Sequence, residues 1–220
     1  MHIADGVLST PVAAGTSAVT AATLAYSVKG MKEEEIPKTS LMAGVFFAVS
    51  LISIPVGPST IHPLFAGLLG VILGRRAPLA IFVGLLLQAV LFQHGGLTTL
   101  GANTLMLAVP ALLSYRIYHA MAGRTVFFRG ALVGGLAVAI TVFTLVVLLI
   151  LTDPAFTAGT FSVINILIVG HLPLVAIEAA VTGAALQLVG KARPEILEEP
   201  GELDDDYKDK KEAAAKGSRT

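Results

Sequence analysis

The chain has 220 residues, of which 55% are hydrophobic and 14% are charged, and its mean hydropathy is +0.80. A soluble domain carries about 25% charged residues, so the composition excludes an ordinary soluble protein and indicates a polytopic membrane protein. Fifteen Lys and Arg residues balance fifteen Asp and Glu residues, and the lack of cysteine excludes a disulfide framework and a thiolate metal site.

The chain opens with Met1 and His2, whose nitrogen atoms can chelate a metal. A free amine on Met1, the His2 backbone amide and the His2 imidazole close two fused rings and occupy three corners of a square. Tetragonal nitrogen sites suit Ni(II) and Cu(II). No Lys or Arg precedes Lys29, unlike a secretory signal, and a bulky second residue disfavours removal of the initiator methionine. We therefore expect Met1 to be the mature N-terminus.

Apolar blocks predict an all-α protein with seven transmembrane helices, at residues 9–28, 40–57, 63–74, 77–94, 102–121, 126–152 and 161–190. The third block is short, and a re-entrant segment is the alternative. With seven spans and the N-terminus outside, all fifteen Lys and Arg residues lie on the cytoplasmic side. A re-entrant third block would instead place Arg75 and Arg76 outside. The sequence thus predicts a membrane domain at 1–191 with a metal-binding N-terminal tail, and a polar, disordered cytoplasmic tail at 192–220.

Three histidines map to the predicted outer side, namely His2, His62 and His94. The tail before the first helix has about ten residues and can reach up to ~33 Å, so it can fold back and bring His2 to His62, which would supply a fourth nitrogen. For each loop histidine taken alone, an ordinary surface residue is the alternative.

Two connectors surround these histidines. Residues 57–63 predict a tight polar turn that presents His62. Ser59 and Thr60 are expected to cap the next helix, and they are also candidate hydrogen-bond donors to the metal ligands. Residues 93–103 form a Gly-rich loop, in which His94 and Asn103 are candidate donors around the ligands.

His171 and Glu178 lie seven residues apart in the last predicted helix and so share one of its faces. Ionisable groups at membrane depth are expensive and are usually functional. The two side chains could orient one another as a structural pair, form a proton relay, or bind a partner. The sequence leaves these readings open.

Three separated motifs resemble the CbiM/NikM family. They are the opening Met-His-Ile-Ala-Asp-Gly, the turn Gly-Pro-Ser-Thr-Ile-His-Pro at 57–63, and the loop Gln-His-Gly-Gly-Leu-Thr-Thr-Leu-Gly-Ala-Asn at 93–103. Members of this family are substrate-binding (S) components of energy-coupling-factor (ECF) transporters for cobalt and nickel. The resemblance implies that the Met1 amine, the His2 amide and imidazole, and His62 hold the metal. It also implies a transmembrane coupling (T) component, two cytoplasmic ATPase subunits and a small accessory membrane protein as partners.

The predicted function is that of a metal-binding subunit in a prokaryotic cell membrane, which captures Ni(II) for ATP-driven uptake. Co(II) as the substrate, or a proton-coupled secondary carrier using His171 and Glu178, are the alternatives. The sequence contains no Walker A loop and no HExxH pair, so we expect a transporter subunit without ATPase or protease activity of its own. We expect lipids around the helices and no nucleic-acid partner.

Overall fold

The computed structural model describes residues 2–52, 54–56, 59–159 and 162–198, with 54–56 and 59–61 described by their backbone alone. The ligand role predicted for Met1, the side-chain roles predicted for Ser59 and Thr60, and the tail from residue 199 onward lie outside the described residues.

Seven α-helices make up most of this described part. They are α1 (Thr10–Val28), α2 (Glu35–Ser50), α3 (Ala66–Leu73), α4 (Ala77–Phe92), α5 (Leu100–Ala120), α6 (Val126–Thr152) and α7 (Val163–Ala192). A short antiparallel hairpin of β1 (Ile54–Val56) and β2 (Ser59–Ile61) joins α2 to α3. The side chains of Thr125 and Ser162 cap α6 and α7 by accepting hydrogen bonds from backbone N–H groups. The predicted all-helical class is therefore confirmed apart from this hairpin.

Within the described ranges, four segments are long and apolar enough to cross a membrane: Ala66–Phe92, Leu100–Ala120, Val126–Thr152 and Val163–Ala192. The first of them folds back on itself. A straight helix of its 27 residues would span about 40 Å, yet the rings of His62 and His94, which flank it, lie 4.8 Å apart. The chain reverses at Gly74, where φ is +52°. The number of crossings and the side of each terminus stay predictions.

The second predicted helix, 40–57, is wrong at its C-terminal end. Helix α2 ends at Ser50, and the chain continues into the hairpin that pairs Ile54 with Ile61 and Val56 with Ser59. Pro55 explains the early end, because proline has no N–H to donate and disfavours the helical conformation of the residue before it. Of the predicted polar turn at 57–63, residues 59–61 are therefore part of a β-hairpin, and residues 62 and 63 follow it.

The third helix also begins later than the predicted residue 63. Helix α3 starts at Ala66, after Phe65, which adopts a left-handed backbone conformation with φ of +46°. Residues 63–65 therefore form an irregular connector between β2 and α3, rather than the first turn of the helix.

Small residues let the helices approach closely. A Cβ on Gly70 of α3 would overlap the carbonyl oxygen of Ala111 in α5, and one on Gly134 of α6 would lie 2.6 Å from the carbonyl oxygen of Glu178 in α7. Such close backbone contacts stabilise helix packing in lipid, where burial of apolar surface between helices brings little gain. Helix α5 lies centrally and contacts α1, α3, α4 and α6.

A buried arginine joins three elements at the end of the bundle opposite His62 and His94. Arg76 is 4% exposed and donates from Nε and Nη2 to the two carboxylate oxygens of Glu35, both at 2.8 Å. It also donates to the backbone carbonyls of Ser27, Lys29 and Gly30 at the end of α1. A cation is favourable at a helix C-terminus, so Arg76 joins α1, α2 and the α3–α4 turn.

Candidate metal centre

The N-terminal tail folds back against the start of α5, where Asn103 holds its backbone. The Ile3 N–H donates to Asn103 Oδ1 at 2.8 Å, and Asn103 Nδ2 donates to the Ile3 carbonyl at 3.0 Å. The Thr99 hydroxyl donates to the same carbonyl at 2.7 Å. The Ile3 side chain is 5% exposed and packs in an apolar cluster with residues of α5 and α6. Hydrogen bonds and apolar burial together place the residue that follows His2.

Asp5 provides a second anchor between the tail and the Gly-rich loop. Its Oδ1 accepts hydrogen bonds from the Thr98 N–H, at 2.9 Å, and from the Thr98 hydroxyl. The hydrogen bond from the hydroxyl lowers the pKa of the Asp5 carboxyl below its ordinary value. A Cβ on Gly96 would overlap Asp5 Oδ1 and lie 2.7 Å from the Asp5 nitrogen. The glycine therefore makes room for the tail.

The docked tail brings three histidine rings together. The His2 and His94 ring centroids lie 5.0 Å apart, and those of His94 and His62 lie 4.8 Å apart, so His94 contacts both of the others. Both ring nitrogens of His2 are buried without a hydrogen-bond partner among the described residues. Burial also lowers the pKa of the His2 imidazole well below its ordinary value. A neutral imidazole with a free lone pair is the form that binds a metal ion.

A backbone carbonyl just before the hairpin orients His62. Its Nδ1 lies 3.2 Å from the Ile52 carbonyl oxygen, and the residue is 7% exposed. A carbonyl can only accept, so we assign the proton to Nδ1, which leaves the Nε2 lone pair for a ligand. Burial lowers the pKa of this imidazole as well.

The structure thus brings together four of the side chains that the sequence singled out, namely His2, His62, His94 and Asn103. Asn103 lies inside α5 rather than in the loop, and it binds the Ile3 backbone instead of a histidine. Across the described ranges, no group of three or more His, Cys, Asp or Glu side chains is arranged to hold a metal. The predicted site uses only two imidazoles and takes its other nitrogens from the backbone. Its ligand assignment stays a prediction.

The two ionisable side chains of the last helix do not form a structural pair with each other. The His171 Nδ1 atom lies 2.6 Å from the Leu167 carbonyl oxygen, whereas the Glu178 carboxylate accepts hydrogen bonds from the N–H groups of Leu64 and Phe65. The two side chains are thus bound to different partners. The sequence showed that Glu178 is a costly buried acid, but not which segment it would bind. The roles of Asp5 and Thr99 were also missed, because they exist only once the tail folds back.

Comparison with known proteins adds independent evidence. Residues 2–196 match the family model CbiM, described as the cobalt uptake substrate-specific transmembrane region. A cobalt transport protein CbiM of Sorangium cellulosum is 30% identical over 213 residues, which cover 90% of this chain and 95% of that protein. A fused nickel transport protein NikMN of Rhodobacter capsulatus is 34% identical over 140 residues, covering 61% of this chain and 39% of that protein. The crystal structure of a transition metal transporter shares the fold with a TM-score of 0.76 at 22% identity, covering 87% of this chain and 93% of that one.

Proposed function

The chain belongs to the CbiM family of substrate-specific transmembrane regions for cobalt uptake, and we propose that it captures Ni(II) for an ECF-type uptake transporter. The family is a multi-pass membrane component of metal transport and not an enzyme. We add to this family assignment the choice of Ni(II), the four nitrogen ligands and the coupling of uptake to ATP hydrolysis.

The docked tail is the observation that carries the proposal. The Ile3 backbone is held by Asn103 and Thr99, and this places the His2 ring against His94, which in turn contacts His62. The proposed ligands are the Met1 amine, the His2 amide nitrogen, the His2 imidazole and Nε2 of His62. The ring nitrogens of His2 are buried and have no hydrogen-bond partner among the described residues. This supports the role, because a buried polar atom without a partner is costly.

The choice of nickel follows from the ligand chemistry. A square of four nitrogens that includes a deprotonated amide favours low-spin Ni(II), although Cu(II) also fits by affinity order. Co(II) is the second candidate, because the matched family and the Sorangium relative are both named for cobalt. Titration of the purified protein with Ni(II), Co(II), Cu(II) and Zn(II) ranks the four metals.

The proposed subunit crosses the membrane seven times and works with partner proteins. Seven crossings with the N-terminus outside would put His2, His62 and His94 on the outer face and every Lys and Arg on the inner face. A transmembrane coupling component, two cytoplasmic ATPase subunits and a small accessory membrane protein would drive reorientation and inward release.

A proton-coupled carrier is the competing function, since His171 and Glu178 are both buried in α7. Reconstitution into liposomes separates the two. The proposed subunit needs the ATPase partners for uptake, whereas the carrier needs only a proton gradient.

The decisive experiment blocks the N-terminal amine. Gly-Pro added before Met1 converts the Met1 amine into an amide, and proline has no N–H that could deprotonate and link the new amine to His2 in a chelate. This extension should abolish Ni(II) binding measured by calorimetry. Gly-Pro added after Thr220 is the matched control and should leave binding unchanged. Wild-type Ni(II) affinity in the N-terminally extended protein would refute the proposed ligand set.

A further inference from the structure

Glu178 is an acidic residue in the middle of α7, and it is 1% exposed. Its Oε1 accepts hydrogen bonds from the N–H of Leu64 and, at 3.1 Å, from the N–H of Phe65, while Oε2 lies 3.2 Å from the latter nitrogen. In the part of the chain that the structure describes, neither of the two ion pairs involves Glu178. A buried carboxylate is costly unless it is compensated. Here the compensation comes from backbone N–H groups.

These N–H groups belong to the connector at residues 63–65, which directly follows His62. Pro63, Leu64 and Phe65 come in this order after His62, between β2 and α3. The connector lacks the repeating hydrogen bonds of a helix or a sheet, and Phe65 has a φ of +46°, which is rare for a bulky residue. An unusual backbone conformation persists only where its surroundings hold it. The Glu178 carboxylate is the group that binds both N–H donors.

The two halves of the candidate metal centre are therefore held by different helices. Asn103 of α5 fixes the segment next to His2, whereas Glu178 of α7 fixes the segment next to His62. From this arrangement we propose that Glu178 is a positioning residue, which holds the His62 imidazole in place for the metal without touching the metal itself. The inference rests on the proposed metal-binding function.

A double-mutant cycle tests the proposal. The variants are Glu178→Leu, His62→Ala and the combination of the two, and the measurement is Ni(II) affinity by calorimetry. Glu178→Leu leaves the buried N–H of Leu64 and the partly buried N–H of Phe65 without this acceptor. We expect it to weaken affinity by about tenfold or more. If Glu178 acts through His62, the same substitution has little further effect once His62 is alanine.

Two further variants guard against a general loss of structure. Glu178→Gln keeps an acceptor oxygen and should restore most of the affinity. Thr182→Val is the matched control, because Thr182 lies one turn further along α7, is 0% exposed and has a hydroxyl with no hydrogen-bond partner among the described residues. It should bind Ni(II) like the wild type. The absorption spectrum of Ni(II)-loaded Glu178→Leu should shift in the same direction as that of His62→Ala.

The outcomes separate this inference from the proposed function. Wild-type affinity in Glu178→Leu, or losses that simply add in the double variant, would overturn the positioning role while leaving the metal site intact. If Glu178→Leu does not fold, the cycle is run with Glu178→Asp, whose carboxylate ends one methylene short of the two N–H groups and should also weaken affinity. An additive loss there would overturn the role equally. Absence of Ni(II) binding by the wild-type protein would overturn the proposed function and this inference with it.

Discussion

Replacing Asn103 by leucine tests how firmly the docked tail holds the candidate metal centre. Asn103 is 2% exposed, and its carboxamide makes two hydrogen bonds to the Ile3 backbone, at 2.8 Å and 3.0 Å. In the variant the Ile3 N–H loses its acceptor, whereas the Ile3 carbonyl keeps the hydrogen bond from Thr99. An unsatisfied buried donor costs about 1–3 kcal/mol. A weakening of tail docking by about 2 kcal/mol corresponds to a roughly 30-fold loss of Ni(II) affinity.

The assay is calorimetric titration of the detergent-purified protein with Ni(II). Thr104→Val is the matched control, because Thr104 is buried in the same helix and its hydroxyl donates only to the Leu100 carbonyl one turn away. The control should keep wild-type affinity. Wild-type affinity in Asn103→Leu would refute the reasoning that tail docking positions His2. A similar loss in both variants would mean that the effect comes from α5 as a whole.

Two further predictions concern helix packing and protonation. Gly70→Ala should lower the thermal midpoint, because the new Cβ overlaps the Ala111 carbonyl oxygen and overpacking costs about 1–3 kcal/mol. Gly15→Ala, in open space on α1, is the control, and equal midpoints for the two variants would argue against the close α3–α5 contact. Ni(II) affinity should fall as the pH is lowered from about 8 to about 5.5, since protons compete with the metal for nitrogen lone pairs. Burial lowers the pKa of His2, so this imidazole should remain neutral to a lower pH than an exposed histidine. An affinity that does not change over this range would contradict nitrogen ligation.

The helices were predictable where the chain carries a long apolar run between polar ends. The sixth predicted helix, 126–152, has the same bounds as α6, and the fifth and seventh differ from α5 and α7 by only one or two residues at each end. The prediction failed between α2 and α3, where apolar residues continue past Ser50 but Pro55 prevents a helix. There the backbone pairs across a hairpin instead. Composition alone did not reveal this change, because Ile and Val suit both structures.

The candidate site was predictable in its residue types and only partly in its geometry. The chelating potential of Met1 and His2 follows from covalent chemistry. His62 and His94 could be singled out because they stand between apolar runs, in predicted connectors. The hydrogen bond between Ile3 and Asn103 joins residues 100 positions apart, and the hydrogen bond between Leu64 and Glu178 joins residues 114 positions apart. No local pattern encodes either pairing.

The sequence alone indicates a membrane protein and gives the approximate bounds of most of its helices. It also predicts which nitrogen atoms could bind a metal. These properties are local, since they depend on runs of neighbouring side chains and on the covalent structure of two residues. The tail folds onto α5, His94 contacts both His2 and His62, and Glu178 binds the connector between β2 and α3, and these contacts are visible only in the folded molecule. Buried backbone N–H and C=O groups must find partners, and which partner each one finds depends on how the whole bundle packs.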